Sequence, residues 1–224
     1  MRYRLTLTTP PESEPVTVDE ANLHIYGVNT AQDPVTAEMI SAAREQAEDF
    51  TSRGFLPQTF TMYLDGFPGA SHNSRNLYSP ETWELVHILL SHNGEITIPR
   101  APLIQNDDTL GIDFIKYIDT TGAQQTLDPT LYQVDPQSDC DPVRILPAYG
   151  KVWPATRPQP NAVTVQFQVG YADAAHVPAR VKLAIKQTLA DWFENREAMV
   201  VDARGKAQEL PNSAKEILWD LRLF

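Results

Sequence analysis

The period of the apolar residues changes twice along this chain, and those two changes limit what it can fold into. Between Asp33 and Arg53, Val35, Met39, Ile40, Ala43, Ala47 and Phe50 recur at spacings of three and four, the signature of one helix face. From Thr59 to Leu64 the pattern alternates in β-branched and aromatic residues and reads as a strand. Strand-like runs continue at Ile112–Ile118, Leu131–Val134, Val143–Leu146 and Val163–Val169. Helical spacing returns after Pro178, with Val181, Ala184, Ile185, Leu189 and Trp192 on one face. Helices, then strands, then helices imply an α+β chain. The expected architecture is a helical bundle built from both ends of the chain, residues 1–56 and 176–224, with a small antiparallel β domain, residues 57–175, inserted between them.

Boundary signals sharpen this reading. Thr17 and Glu20 have the T-x-x-E spacing of a capping box, so a short helix is expected from Val18 to Tyr26, stopped by Gly27. Asp33-Pro34 suits the start of the second helix and Gly54 its end. Ser213 and Glu216 start a last helix bearing Ile217, Leu218 and Leu221. The extended segment before Pro15 is proline-rich. Trp83–Leu90 reads as one arm of a hairpin that turns at Asn93-Gly94 into Glu95–Ile98. Eight of the 18 prolines fall from Pro129 to Pro178, at the margins of strand-like runs, which suits a small sandwich or barrel.

The charge balance, 18 basic against 29 acidic side chains for a net of −11, argues against a surface that grips nucleic acid by neutralising phosphates. No apolar run approaches the length of a membrane span, and the first residues lack the apolar core of a secretory signal. One cysteine, Cys140, excludes an intrachain disulfide and fits a reducing cytoplasm. The segment Pro102–Pro142 carries eight aspartates against Lys116 alone, whereas the stretch from Arg180 onward is nearly neutral. Two surfaces with different neighbours follow from that asymmetry.

The motifs of chemistry are missing. No phosphate-cradling glycine loop or nucleophile elbow is present. His87 and His92 lack a third ligand, and Cys140 sits between Asp139 and Asp141, whose charge disfavours a thiolate. The aspartates match no calcium loop. The expectation is therefore no catalytic residue, no metal and no cofactor. Trp192, Asn195, Arg196 and Glu197 read as the close of a helix. Leu218, Trp219, Leu221, Leu223 and Phe224 must be covered by the chain's own core or by a partner.

Several strings carry a resemblance. LTTPPESEPVTVDEA (Leu7–Ala21), SAAREQAEDFTSRGFLPQTF (Ser41–Phe60), LDGFP (Leu64–Pro68), IPRAPL (Ile98–Leu103), RILPAYGKVWP (Arg144–Pro154), NAVTVQFQVGY (Asn161–Tyr171) and PARVKLAIKQTLADWFENREA (Pro178–Ala198) occur in this order. Together they resemble the tailed-phage head–tail connector family, from about Leu5 to Leu221, with Gly69–Glu95 longer than the family pattern. The resemblance implies a helical core with a β-rich insertion and a non-enzymatic virion protein, made in the bacterial cytoplasm. It further implies a ring, typically of twelve copies, beneath the portal protein, which extends the DNA channel and receives a stopper or tail-completion protein. DNA would pass without specific binding, and no membrane is involved. Docking of the C-terminal helix on the portal would use Trp219, Leu221, Leu223 and Phe224. Asp107, Asp108, Asp113, Asp119, Asp135, Asp139 and Asp141 would partly line the channel or its tail-facing rim. The alternatives are another neck or tail-completion protein of a phage or gene-transfer particle, a carboxylate-dependent hydrolase, or a host binding module that forms no ring.

Overall fold

The computed structural model describes residues 3–25, 33–68, 94–104, 111–135, 142–194 and 212–223. The chain is α+β, as its change of period requires, and divides into two compact units. One comprises Met1–Pro10 and Gln58–Val169, the other Pro11–Pro57 and Gly170–Phe224. The N-terminal segment belongs to the β unit. The reason is hydrogen bonding, since β1 (Tyr3–Thr9) pairs antiparallel with β2 (Gln58–Leu64) from Tyr3 opposite Leu64 to Thr9 opposite Thr59.

The β unit holds two antiparallel sheets. The remaining strands are β3 (Ile96–Thr97), β4 (Ile112–Ile118), β5 (Gln124–Thr126), β6 (Tyr132–Asp135), β7 (Arg144–Pro147) and β8 (Val163–Val169). The larger sheet has the order β1-β2-β8-β4-β5 and the smaller β3-β7-β6. Strand β8 shows why they pack together: Val163, Val165, Phe167 and Val169 are all fully buried and alternate with part-exposed residues. Their partners across β2, namely Leu64, Met62, Phe60 and Gln58, are buried too. Ile96, Val143 and Ile145 from the smaller sheet join the same core. Each such side chain contributes roughly 1.5–3 kcal/mol on burial, so β8 alone supplies a large share of this unit's stability.

Of the expected hairpin, Trp83–Leu90 and Asn93 lie outside the described residues. Strand β3 pairs with β7, Ile96 facing Ile145 and Thr97 facing Arg144. Strand β5 was not expected, because its three residues are all exposed and show no alternation.

The helical unit contains, among the described residues, α1 (Val18–His24), α2 (Asp33–Thr51), α3 (Ala179–Glu194) and α4 (Asn212–Trp219). The capping box at α1 forms: Glu20 N–H donates to Thr17 Oγ1 at 3.2 Å, and Thr17 N–H to Glu20 Oε2 at 3.4 Å. Helix α1 closes at Ile25, and Gly27 lies outside the described residues. Helix α2 stops before Gly54, at Ser52, which takes a left-handed φ of 56°. Val181, Ala184, Ile185 and Leu189 of α3 pack with Ile40, Ala43 and Ala47 of α2, with Ala214 and Leu218 of α4, and with Ala21 of α1. Within this core lies an ion network. Arg44 donates to Glu48 Oε2 and to Glu14 Oε2, each at 2.8 Å, while Glu48 Oε1 accepts the Phe55 N–H at 2.8 Å. Burial opposes the Arg44 charge, but Glu48, Glu14 and Glu45 outweigh it and hold the guanidinium above its ordinary pKa.

Candidate functional site

The C-terminal residues take different directions. Helix α4 turns by about 100° per residue, so Leu218 faces inward while Trp219 faces out and is 53% exposed. Beyond the helix the chain is pinned to the end of α2. Leu223 N–H donates to Thr51 O at 3.0 Å, and the Arg53 Nε–H donates to Leu221 O. Leu221 and Leu223 are thereby buried in their own unit. The four-residue anchor set expected from the sequence is thus split: two leucines serve the chain's own fold, and Phe224 lies outside the described residues. Trp219 keeps a partly open face. Its ring packs at 6.3 Å from Phe50, and the Arg222 guanidinium sits over both rings, 5.6 Å from Phe50 and 5.7 Å from Trp219. Neither Phe50 nor Arg222 stood out as part of this cluster in the sequence.

The described members of the acidic set, Asp113, Asp119 and Asp135, lie at separate places in the β unit. Asp113, at an irregularity in β4, lies where Gln166 and Gln168 of β8 both donate to it, at 3.2 and 2.7 Å. Asp119 closes the turn between β4 and β5. It accepts from the Thr121 hydroxyl, the Gln125 amide and the backbone N–H groups of Ala123 and Thr121. Those bonds, led by the Thr121 hydroxyl, push its carboxyl far below the ordinary aspartate range. Asp135 pairs with Arg144, which also lies 3.7 Å from Glu95. An open groove beside this pair is lined by Gln133, Val134, Asp135, Arg144 and Leu146. Asp107, Asp108, Asp139 and Asp141 lie outside the described residues, as do Cys140, His87, His92 and residues 195–197.

General acid catalysis needs a carboxyl held up in pKa by an apolar setting, whereas the shifted aspartates Asp119, Asp128 and Asp173 are all held down by hydrogen bonds. No group of three or more His, Cys, Asp or Glu residues among those described could hold a metal ion. No helix among them is long and apolar enough to cross a membrane.

Two features escaped the sequence reading. Tyr149 and Val152 stand in solvent at 102% and 86% exposure. The signal available was the turn pair Gly150-Lys151 set between Tyr149 and Val152 in the string AYGKVWP.

The described residues define an α+β protein of two compact units. No protein-family model matches the chain, and no curated protein matches it. Solved structures do match in fold. A chain in the virion of a native gene transfer agent particle superposes with a TM-score of 0.66 at 16% identity, covering 98% of this chain and 95% of that one. A chain in the neck of an empty gene transfer agent particle, computed with C6 symmetry, gives 0.68 at 16% identity, with 99% and 96% covered. One in the neck of a native particle, computed with C12 symmetry, gives 0.61 at 15% identity, with 100% and 96% covered. The fold of this chain is therefore shared, over its whole length, with chains of those particles.

Proposed function

We propose that this chain is a structural neck protein of a phage-like particle, a head–tail adaptor. Twelve copies form a ring beneath the portal, continue the DNA channel, and offer a platform to the stopper or tail-completion protein. The observation that carries this reading is the extent of the likeness: 98% or more of the chain superposes on chains of gene transfer agent virions and necks. A neck with C12 symmetry fits a ring of twelve. The depressed aspartates fit a role in surface charge and turn structure better than one in proton transfer.

In this reading Asp113 and Asp119 contribute to an acidic surface past which DNA slides. Phosphates gain no counterion-releasing contact there, so the genome is not held. The portal anchor is Trp219, supported from beneath by Phe50 and Arg222. A partly open tryptophan on a fixed helix can bury a large apolar area at small entropic cost. Leu221 and Leu223 act indirectly, by holding that helix in place.

The test is electron microscopy of the purified protein mixed with its cognate portal ring. A collar of twelve copies on one end of the portal is the expected result. Bare portals at high protein concentration would overturn the head-side role. Trp219→Ser should leave the fold intact and reduce collar formation; an unchanged yield of collars would remove Trp219 from the portal contact.

A further inference from the structure

The turn after β7 holds two apolar side chains in water, Tyr149 and Val152. On a loose loop that would mean little, but this turn is pinned at both ends. Ala148 N–H donates to Leu131 O at 2.9 Å, and Lys151 N–H closes the turn on Ala148 O at 2.8 Å. Trp153, next to Val152, stacks on Phe67 with ring centroids 4.8 Å apart and planes within 5° of parallel. Its indole N–H donates to Gly94 O. At the tip Gly150 has a φ of 71°, and nothing lies within 4 Å of where a Cβ would sit. The result is a preorganised knob with Tyr149 and Val152 at its end and Lys151 as the one charge between Ala148 and Trp153. Ordering such a knob costs little on binding, because most of that cost is already met by the fold.

The helical unit carries a surface of complementary character. Leu23 is 85% exposed on α1 and Val35 57% exposed on α2. The Asn22 amide donates to Asp33 Oδ1 at 2.8 Å, so the end of α1 is joined to the start of α2, with Leu23 and Val35 one and two residues from the joint. Asp19 lies one helical turn before Leu23, and Glu38 one turn after Val35; both are exposed. Around this joint the exposed positions include two apolar and two acidic ones, whereas the knob is apolar with a cationic side chain.

We propose that the Tyr149–Val152 knob of one copy docks on the Leu23–Val35 surface of the next, with Lys151 directed to the Asp19, Asp33 and Glu38 rim. This rests on the ring reading above and names the joint between its copies. The occupant is a second copy because both halves of the match lie on this chain. At a net charge of −11, acidic faces of two copies repel, and a cationic apolar tip is the kind of surface that can approach one. Two unlike surfaces on one chain make a head-to-tail contact, which generates a ring when the rotation closes.

Two defective chains test the joint itself without the portal. Tyr149→Ser/Val152→Ser removes the knob, and Leu23→Asp/Val35→Asp spoils the surface. All four positions are exposed, so melting curves should match the parent chain. Mixed at high concentration, the two variants can make only one intact joint, and a 1:1 dimer by analytical ultracentrifugation is the expected result. Each variant alone should remain monomeric. No mixed dimer, or a dimer formed equally by the knob variant alone, would overturn the joint. With the portal present, the knob variant should form collars about tenfold or more less readily. Equal collars from parent and knob variant would overturn this inference and leave the ring standing. No collars from the parent chain, with the mixed dimer present, would overturn the adaptor reading and leave the joint.

Discussion

Removing one partner of the Arg44–Glu48 pair should damage the helical unit more than removing both charges. The two side chains are 5% and 6% exposed, and their contact at 2.8 Å is shielded from water. Glu14, the second acceptor of Arg44, is 30% exposed, so its contribution is discounted for solvent screening. Arg44→Met takes the Arg44 donor away from the buried Glu48 carboxylate, which keeps the Phe55 N–H, at a cost of about 3–5 kcal/mol. Glu48→Gln keeps an acceptor for Phe55 and leaves Arg44 with Glu14, so its cost is smaller, about 2–3 kcal/mol. The double substitution buries no unpaired charge and keeps the Phe55 acceptor. It should cost less than Arg44→Met alone, with a coupling of about 2–3 kcal/mol. The assay is urea unfolding followed by far-ultraviolet circular dichroism and by the fluorescence of Trp192, which packs against this core. Additive single costs, or an Arg44→Met cost below about 1 kcal/mol, the level of a surface pair, would refute the claim that the network is dry.

Three further outcomes follow from the geometry. Gly170 has a φ of 124°, and a Cβ there would meet the Leu56 carbonyl and lie 2.8 Å from Pro57 N. Gly170→Ala should therefore cost about 3 kcal/mol or more, and an unchanged melting temperature would refute it. Phe167→Ala removes a fully buried ring 6.1 Å from Phe60 and should cost about 3–5 kcal/mol, whereas Gln166→Ala on the opposite face should cost about 1 kcal/mol; equal losses would refute the register of β8. The Asp119 carboxyl should stay ionised well below the ordinary value of 3.8 in a carbon-13 titration. Its pKa is depressed in the fold, so its contribution is present above that value and lost as pH falls through the folded pKa. The stability advantage over Asp119→Asn should accordingly vanish only in strong acid, and a midpoint near 3.8 would refute the assigned bonds.

What could be read from residue order alone was whatever a local period or cap encodes. The Thr17–Glu20 box, the apolar faces of α2 and α3, and the alternation of Val163–Val169 each state a preference within a few residues. They were enough for the α+β class and for the succession of helices, strands and helices. The acidic middle was also visible, but not what each carboxylate does, because its partners come from other parts of the chain. Gln166 and Gln168 reach Asp113 from β8, and Arg144 reaches Asp135 from β7.

Tertiary structure decided the rest, through contacts between residues distant in sequence. The N-terminal strand looks merely extended until Leu64 supplies its hydrogen-bonding edge. Strand β5 carries no apolar signal and exists because β4 pairs with it. Arg44 and Glu48 look like solvated helix charges, yet they are buried because Glu14 and Phe55 close over them. Leu221, Leu223 and Trp219 are equally apolar in the sequence. Only the anchoring of the tail on Thr51 and Arg53 turns the two leucines inward and leaves the tryptophan open, since burial depends on which surface the folded chain brings to meet each side chain.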